Sequence, residues 1–405
     1  MRVLLIGSGG REHALAWKLR QSPRLDELHA APGNPGIAQL GECHPVRAED
    51  GEGLLDLARS LDADLVVVGP EAPLVSGVAD ELRHAGVTVF GPSRAAAQIE
   101  GSKTFAKEVM RTAGVPTAET LAVARPPCVI KVDGLAAGKG VFVCPDQTTL
   151  DEALQAAGRL GQPLVIEELL EGEEVSLFAV ADGSDAVALA PARDYKRVGD
   201  GNTGPNTGGM GAYSPVTELT ADDVDQLLAT VHRPVLAELA NRGVPFVGLL
   251  YAGLMLTEEG PKVLEFNCRF GDPETQAILP RIQGDLLATL AAASSGGVSS
   301  SGLDAGDEAA VTVVLTARDY PERGDSGTPI EGVDEAEAQA LVFHAGTAMH
   351  GGRLVTNGGR VLDVTGVGPT VEEARAAAYD ACARISFDGM QYRRDIAART
   401  ADIAT

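Results

Sequence analysis

Short apolar runs followed by glycine-containing turns dominate the first quarter of the chain. The runs lie at residues 3–6, 65–68 and 87–90, and they lead into turns at 7–10, 69–71 and 91–93. Continuous runs of this length are typical of strands buried on both faces, and apolar residues at helical spacing occupy 74–84 between two of them. The pattern predicts alternating β/α architecture, in which ligands bind beyond the carboxyl ends of parallel strands, where these turns lie.

The pattern changes after residue 101. A helix is predicted at Lys103–Met110, strands at Cys128–Val132 and Val141–Cys144 flank a glycine loop, and a further strand is predicted at Leu164–Ile166. We interpret this stretch as a nucleotide-binding domain.

The carboxyl-terminal region combines predicted strands with one long helix. The strands lie at 310–316, 341–344 and 359–365, and an alanine-rich helix follows at 371–385. Residues 292–308 are rich in Ala, Ser and Gly, which predicts a linker or surface connection with a boundary near residue 296. The chain is therefore predicted to be multidomain, of α/β and α+β class, with domains at 1–101, 102–295 and 296–405.

The amino-acid composition limits which partners the protein can bind and which cell compartment suits it. The 405 residues, 44% of them hydrophobic, can bury several cores, and a formal net charge of -24 opposes binding to a nucleic-acid backbone. Backbone N–H groups and a few cations can still bind a phosphate locally. The five cysteines show no C-x-x-C pairing, residues 1–10 do not resemble a signal peptide, and no apolar run approaches membrane-spanning length. We expect a soluble cytoplasmic protein that binds neither nucleic acid nor a membrane.

A strand-to-loop run at residues 265–276 carries the most informative chemistry. Alternate side chains of an extended strand share a face, so Glu265, Asn267 and Arg269 should project together while the residues between them face the core. Hard oxygen donors suit Mg²⁺, which usually completes its shell with phosphate oxygens and waters. The alternative is an edge strand with a solvated polar face. The run predicts a metal site beside a cation, where a phosphate could bind.

Glycines at residues 7–10 precede a predicted helix and allow a ligand to approach the backbone. The unpaired N–H groups and the positive dipole end of that helix would then face a phosphate. The spacing does not complete G-x-G-x-x-G, so a nicotinamide dinucleotide is disfavoured, and a plain tight turn is the alternative. Residues 33–36, Gly-Asn-Pro-Gly, either close over the same ligand or form an ordinary turn.

Two lysines bracket the glycine loop of the middle region. Lys131 lies in a strand and Lys139 in the loop, so the loop can cover phosphates while both cations neutralise them. Gly140 follows Lys139 and removes the hydroxyl that a P-loop gives to Mg²⁺, so a different nucleotide fold is required. A β-hairpin with a charged tip is the alternative.

Two later segments offer further polar groups. At 166–175, backbone groups near Leu169 and Leu170 could pair with an adenine edge while carboxylates accept from its amino group and from ribose; an acidic surface loop is the alternative. Residues 194–211 read as a long loop that either binds phosphate or carboxylate or is disordered.

His13 and His44 lack a second ligand at the spacing of a metal site, so we assign neither a metal role.

Four segments together resemble the glycinamide ribonucleotide synthetase family (phosphoribosylamine–glycine ligases), ATP-grasp enzymes of purine biosynthesis. They lie at residues 7–13, 131–140, 204–211 and 269–274, and the likeness covers essentially the whole chain. It implies a Rossmann-like preATP-grasp domain at the amino end, an ATP-grasp core with a mobile lid at about 117–187, and a small carboxyl-terminal α+β domain.

The resemblance also implies roles for individual residues. The metal pair, for Mg²⁺ or Mn²⁺, is Glu265 and Asn267. ATP would be bound by Lys103, Lys131, Gly134, Gly138, Lys139, Gly140, Glu167, Glu168, Leu170 and Glu174. Glycine and 5-phosphoribosylamine would be bound by Gly9, Gly10, Glu12, Asn34, Asp194, Lys196, Gly209, Arg269 and Asp272. Residues 249–255 contain no carboxylate, so we do not expect a second metal site.

The implied reaction joins glycine to phosphoribosylamine through glycyl phosphate, with Arg269 and Lys131 balancing charge on the transferred phosphoryl group. Another carboxylate–amine ligase, similar to biotin carboxylase or to an aminoimidazole-ribonucleotide-carboxylating enzyme, is one alternative, which the segments at 204–211 and 269–276 disfavour. A non-catalytic nucleotide sensor is the other, which the intact Glu265 and Asn267 disfavour. We expect a monofunctional monomer.

Overall fold

A five-stranded parallel sheet forms the amino-terminal region. The computed structural model describes residues 1–135, 140–298 and 303–398 of the chain. The first elements, in chain order, are β1 Arg2–Gly7, α1 Gly10–Leu19, β2 Glu27–Pro32, β3 Glu42–Cys43, α2 Gly51–Ser60, β4 Leu65–Val68, α3 Glu71–Ser76, α4 Val78–His84 and β5 Val89–Phe90. The strand order is β3-β2-β1-β4-β5, and every pair is parallel.

The predicted β/α alternation is confirmed, with differences at element ends. Residues of β1 pack alternately into two hydrophobic clusters, so both faces of the sheet are covered. The helical pattern at 74–84 forms two helices, because Gly77 ends the first with a φ of +102° that favours glycine. The apolar run at 87–90 pairs only over Val89–Phe90.

Two antiparallel sheets face each other in the middle region. The elements continue with α5 Gln98–Gly101, α6 Lys103–Ala113, β6 Cys128–Val132, β7 Val141–Cys144, α7 Gln147–Leu160, β8 Leu164–Glu168, β9 Glu173–Asp182, β10 Ala186–Ala188, β11 Arg193–Asp194, β12 Arg197–Gly199, β13 Thr203–Asn206, β14 Gly211–Ser214, α8 Ala221–Leu227, α9 Arg233–Asn241, β15 Val247–Thr257, β16 Gly260–Asn267, α10 Glu274–Ile278, β17 Ile282–Gln283 and α11 Leu286–Ala293. The small sheet β7-β6-β8 packs on α7 around its own core, and β10-β9-β15-β16 form the larger sheet. The two strands predicted on either side of the glycine loop are present as β6 and β7, and they pair antiparallel.

The carboxyl-terminal region is an α+β unit, as predicted. Its elements are β18 Asp304–Ala305, β19 Ala309–Thr316, β20 Asp325–Pro329, α12 Val333–Glu337, β21 Leu341–His344, β22 Thr347–His350, β23 Arg353–Gly358, β24 Arg360–Gly368 and α13 Val371–Cys382. The main sheet has the order β11-β14-β19-β24-β21, and α13 packs into its core. Because β11 and β14 precede residue 296, this sheet combines chain from both sides of the predicted boundary.

Two of the predicted irregular segments are more ordered than their composition indicates. The predicted linker at 292–308 is partly core, since Ala293 and Val298 are fully buried, and residues 299–302 lie outside the described residues. The predicted loop at 194–211 contains the hairpin of β12 and β13. Backbone pairing holds these short strands, and composition does not reveal it. Within the described ranges, no helix combines the length and apolar character needed to cross a membrane.

Candidate active site

Many charged side chains surround one cavity, which we call the main cavity. Its walls come from helices α1, α3, α5 and α6, from both sheets of the middle region and from the carboxyl-terminal sheet. The polar residues that line it are Arg11, Glu71, Glu100, Lys103, Lys107, Lys131, Glu167, Asp194, Lys196, Thr207, Tyr251, Glu265, Asn267, Arg269, Asp272, Glu274 and Arg360. Mixed charges at such density suit a polyanionic ligand that binds together with a cation.

Strand β16 presents its predicted polar face to the main cavity. Glu265, Asn267 and Arg269 all line it, and the intervening Phe266, which also borders the cavity, and Cys268 are 2% and 1% exposed. Across the strand pair, Glu265 faces a glycine and Asn267 faces Tyr251, so β15 adds no carboxylate here. Sequence reasoning missed the carboxylate of Glu274, which is buried and lines the same cavity. The alternation of side chains along a strand was enough to predict Glu265, Asn267 and Arg269. Glu274 begins a helix after a turn, so that alternation does not extend to it.

Two carboxylates hold the guanidinium of Arg269. Arg269 Nε lies 3.2 Å from Glu71 Oε2, and Arg269 Nη2 lies 3.5 Å from Glu100 Oε1. Burial alone would lower the pKa of Arg269, but the charges of Glu100 and Glu71 outweigh it and raise the pKa. Burial opposes ionisation of Glu71 as well, yet Arg269 and Arg11 bring its pKa down to about 2. Arg269 is therefore a fixed and permanently charged cation in the cavity wall.

Lys131 belongs to a buried ion triad. Its Nζ donates to Glu167 Oε2 at 2.7 Å and to the Leu264 carbonyl at 2.7 Å. Lys107 Nζ donates to the other oxygen of Glu167 at 2.6 Å. Both oxygens of Glu167, expected at adenine, are thus paired with ammonium groups. Sequence reasoning missed Lys107, although it lies one helical turn after the candidate Lys103 on α6 and that spacing is a usable signal.

Lys103 stands at the start of α6, against the glycine loop. Ser102 caps the helix by accepting from the Phe105 N–H at 3.2 Å, and Lys103 Nζ donates to the Gly134 carbonyl at 3.0 Å. Burial lowers the pKa of Lys103 despite the nearby carboxylates. Gly134 and Gly140 line the main cavity. The candidates Gly138 and Lys139 lie outside the described residues.

Lys196 bridges two candidate carboxylates. Its Nζ donates to Asp194 Oδ1 at 3.0 Å and also contacts Glu174 Oε1. Burial raises the pKa of both carboxylates. Burial would lower the pKa of Lys196, but its two partners outweigh that and raise it well above the usual value. Asp194 and Lys196 line the main cavity, whereas the candidates Glu168, Leu170, Glu174 and Gly209 do not.

A second space, the side cavity, adjoins the main cavity. It is lined by Ser8, Gly9, Pro32, Gly33, Asn34, Asp272, Ala345, Gly346, Thr347, Asn357 and Arg360. Asp272 and Arg360 line both spaces, and Arg360 Nη2 donates to Asp272 Oδ2 at 2.9 Å. The charge of Asp272 outweighs burial and raises the pKa of Arg360. Sequence reasoning missed the whole carboxyl-terminal side of this cavity, and its only signal was the Ala-Gly-Thr turn after the strand at 341–344.

Three amino-terminal candidates take part in the structure of the turn. Glu12 is buried, and its Oε2 accepts from the Gly9 N–H at 2.7 Å. A Cβ at Gly7, whose φ is +129°, would lie 2.5 Å from Glu12 Cγ, so only glycine fits there. Asn34 Nδ2 donates to the His344 carbonyl at 2.7 Å. Asn34 lines the side cavity, whereas Gly10 and Glu12 line neither cavity.

A buried carboxyl group, that of Asp363, lies behind Asp272 at the junction of the two cavities. Gln276 Nε2 donates to Asp272 Oδ1 and to Asp363 Oδ2, each at 2.8 Å. Asp363 is 1% exposed. Burial and the charge of Asp272 outweigh the effects of Arg360 and Gln276, and raise the pKa of Asp363 to about 7. No motif pointed to Asp363, because only the fold brings β24 against the turn before α1.

His13 is a packing residue. It is buried, its Nδ1 accepts from the His344 N–H at 2.8 Å, and burial together with His344 lowers its pKa to about 3.

Three family models match the chain in succession. They are the N domain of phosphoribosylglycinamide synthetase over residues 1–100, its ATP-grasp (A) domain over 101–275 and its C domain over 310–399. Phosphoribosylamine–glycine ligase of Rhizobium meliloti is 50% identical over 98% of both chains. The enzyme of the same name from Streptomyces coelicolor is 51% identical over 99% of this chain and 100% of its own.

Solved structures agree with these matches. Phosphoribosylamine–glycine ligase of Thermotoga maritima superposes with a TM-score of 0.84 at 37% identity, over 98% of this chain and 100% of its own. The biotin carboxylase domain of Hydrogenobacter thermophilus 2-oxoglutarate carboxylase reaches a TM-score of 0.70 at 16% identity, over 96% of this chain and 91% of its own. This second likeness concerns the fold alone.

Proposed function

This chain belongs to the phosphoribosylglycinamide synthetase family, and from that premise we propose which of its residues carry out the family's ligation. It is a carbon–nitrogen ligase of purine biosynthesis that uses ATP and a divalent metal ion to join glycine to 5-phosphoribosylamine. One observation carries the proposal for the site: a main cavity rich in both charges meets a side cavity at the pair Asp272–Arg360. Two substrates in adjoining spaces can meet at that pair.

The main cavity would bind ATP. Lys103 and Lys131 are its candidates for the phosphates, and Gly134 and Gly140, which line the same cavity, bound the loop that we propose to cover them. We assign Glu167 chiefly to positioning Lys131, because both of its oxygens are already paired. The nucleoside would extend past the lining of the main cavity, with the adenine edge at residues 168–170 and ribose at the Glu174 oxygen that Lys196 does not contact.

The metal pair would be Glu265 and Asn267, and Mg²⁺ is the ion we propose, with Mn²⁺ as the alternative. Both residues are hard oxygen donors on one face of β16, and both line the main cavity, so the residues present fit the ion. When bound, the ion would neutralise phosphate oxygens of ATP.

Glycine would bind near Arg269. Its carboxylate fits the fixed guanidinium, and its ammonium fits Asp194 or Asp272, which line the same cavity. The carboxyl-terminal side of the side cavity would bind the phosphate of phosphoribosylamine, with Arg360 as its cation and the side-chain amide of Asn357, which lines the same cavity, as a donor. The amine would then approach glycine past Asp272.

The chemistry follows from this placement. A glycine carboxylate oxygen attacks the γ-phosphorus of ATP, the bond to the bridging oxygen of ADP breaks, and glycyl phosphate forms. The amine then attacks the glycyl carbonyl, loses a proton, and phosphate leaves. Lys131 and Arg269 balance the charge of the transferred phosphoryl group, and positioning supplies most of the remaining rate enhancement.

An isotope experiment tests the proposed intermediate. With ATP, Mg²⁺, phosphoribosylamine and glycine labelled with ¹⁸O in its carboxylate, one labelled oxygen should appear in the released phosphate. Unlabelled phosphate would contradict the glycyl phosphate step. Omission of glycine or of the amine should abolish ligation, and ATP binding without any ADP formation in the complete mixture would favour a nucleotide sensor.

We also propose a cytoplasmic monomer. All five cysteines are unpaired and four of them are buried, which suits a reducing compartment.

A further inference from the structure

Two histidines and two glutamates meet at the outer edge of the amino-terminal sheet, and none of them lines either cavity. The edge strand β3 pairs in parallel with β2, with His29 opposite Glu42. Because alternate residues of a strand share a face, Glu27 joins His29 on β2, and His44 joins Glu42 at the end of β3. The fold thus gives His44 the second ligand that its spacing along the chain does not reveal.

The ring nitrogens of the two histidines point at each other. His29 Nδ1 lies 3.0 Å from His44 Nε2 and 3.8 Å from Glu42 Oε2. The three donor atoms, one from each residue, all lie within 4.8 Å of one another. Two nitrogens on one tetrahedral Zn²⁺ lie about 3.3 Å apart, as bond lengths of about 2.0–2.1 Å require. Small side-chain rotations would therefore bring all three donors onto one ion.

A fourth residue orients the central ligand. His29 Nε2 lies 3.4 Å from Glu27 Oε2, so the carboxylate can accept the proton of that nitrogen and leave the lone pair on Nδ1 for an ion. Glu27 is also 3.9 Å from Arg2 Nε, which leaves its carboxylate anchored. The His29 side chain is 8% exposed while that of Glu42 is 69% exposed, so the group is rooted in the sheet and open to solvent on one side.

We propose that His29, Glu42 and His44 form a binding site for a borderline divalent cation such as Zn²⁺, with Glu27 as the group that orients His29. Two imidazoles and one carboxylate are a typical donor set for Zn²⁺, and water can fill the remaining position. Mg²⁺ prefers an all-oxygen shell and is not expected here. The site is distinct in place and in ligand chemistry from Glu265 and Asn267.

The bound ion would tie together the two strands that flank residues 33–41. That segment carries Asn34, which lines the side cavity and donates to the His344 carbonyl at 2.7 Å. A cross-link between β2 and β3 would restrict this segment. The ion would act as a structural clamp next to the side cavity rather than as a participant in catalysis.

Zinc binding to the full chain tests the proposal. We would titrate Zn²⁺ by calorimetry with Mg²⁺ in excess, so that Mg²⁺ occupies the hard-oxygen site. The wild type should bind one equivalent of Zn²⁺ and gain thermal stability. His44→Ala and Glu42→Gln should each weaken binding by roughly tenfold or more, and Glu27→Gln by about tenfold. Co²⁺ in place of Zn²⁺ should give visible absorption bands that disappear in His44→Ala.

The control is His84→Ala, which removes an exposed histidine of the same domain outside the proposed site and should bind Zn²⁺ like the wild type. Equal Zn²⁺ affinity in wild type and His44→Ala would overturn the proposal, as would no binding by the wild type. If the buried His29→Ala variant fails to fold, Glu42→Gln still decides, because Glu42 is exposed. Ligase activity does not enter the readout, so the result is independent of the roles proposed for the two cavities.

Discussion

The two adjoining cavities are built in different ways. The main cavity takes its charged groups from long, regular elements, such as β16, α6 and β6, and most of those groups are already paired with one another. The side cavity takes its lining from turns and strand ends of both terminal regions together with Asp272 of the middle region, and Arg360 is the cation among its lining residues. A strand face can be recognised from the order of residues alone, whereas turns distant in sequence meet only in the fold. The main cavity should therefore control the chemical step and the side cavity the affinity for one substrate.

We expect the largest effect from a substitution in the proposed metal pair, which tests whether the main cavity controls the chemical step. Glu265→Gln keeps the size of the side chain but removes the charge that would hold the divalent ion, so we expect kcat to fall by more than about 100-fold. The KM for phosphoribosylamine should change little, because Glu265 does not line the side cavity. Steady-state ADP release checks both parameters. Glu259→Gln, an exposed position just before β16, is the matched control, and a comparable loss there would exclude a specific role.

The second prediction addresses the side cavity. Arg360→Gln removes the cation proposed to bind the phosphate of phosphoribosylamine and also leaves Asp272 without its 2.9 Å partner. We expect the KM for phosphoribosylamine to rise about 30-fold, equivalent to about 2 kcal/mol for a lost charged hydrogen bond, with a smaller change in the KM for ATP.

The control for Arg360 is Arg353→Gln, an exposed arginine on the neighbouring strand β23. It should leave both KM values unchanged. A rise of the KM for ATP as large as that for phosphoribosylamine would break the comparison, because it would mean that the two cavities bind as one.

How much could be predicted from the sequence also differs between the two cavities. The face of β16 and the strands β4, β6 and β7 follow from alternation and apolar runs, which are local properties. Glu167 was expected at adenine, but the fold brings it between Lys107 and Lys131, and no local pattern contains that contact. The carboxyl-terminal side of the side cavity was missed for the same physical reason. Composition alone also failed at Val298, a buried residue in a stretch that reads as a linker.

The third prediction concerns the acid behind the junction. The pKa of Asp363 in the folded protein, about 7, exceeds the ordinary value, so the folded state retains its proton longer than the unfolded state. Stability from this group is complete below about pH 4 and is lost as the pH rises through 7. Between about pH 5.5 and pH 7 the free energy of unfolding should fall by between about 1 and 2 kcal/mol from this residue.

Asp363→Asn should remove that part of the pH dependence, as measured by urea unfolding at both pH values. Asp56→Asn, at an exposed position on α2, serves as the control and should keep the wild-type slope. An unchanged slope in Asp363→Asn would show that the buried carboxyl titrates normally, and the junction would then lack its expected sensitivity to pH.

We expect the smallest effect from replacing Lys107, because a second lysine of the main cavity, Lys131, pairs with the same carboxylate. Lys107 and Lys131 share Glu167, and the Lys107 side chain is 14% exposed while that of Lys131 is 7% exposed. Lys107→Met leaves Glu167 one cation, so the carboxylate should draw Lys131 closer and away from the phosphates. We expect the KM for ATP to rise about fivefold, equivalent to about 1 kcal/mol, with kcat nearly unchanged.

Arg111→Met, exposed on the same helix, should have no effect. A large fall in kcat for Lys107→Met would mean that Lys107 itself contacts the transferred phosphoryl group, and the positioning role assigned to Glu167 would then extend to both lysines.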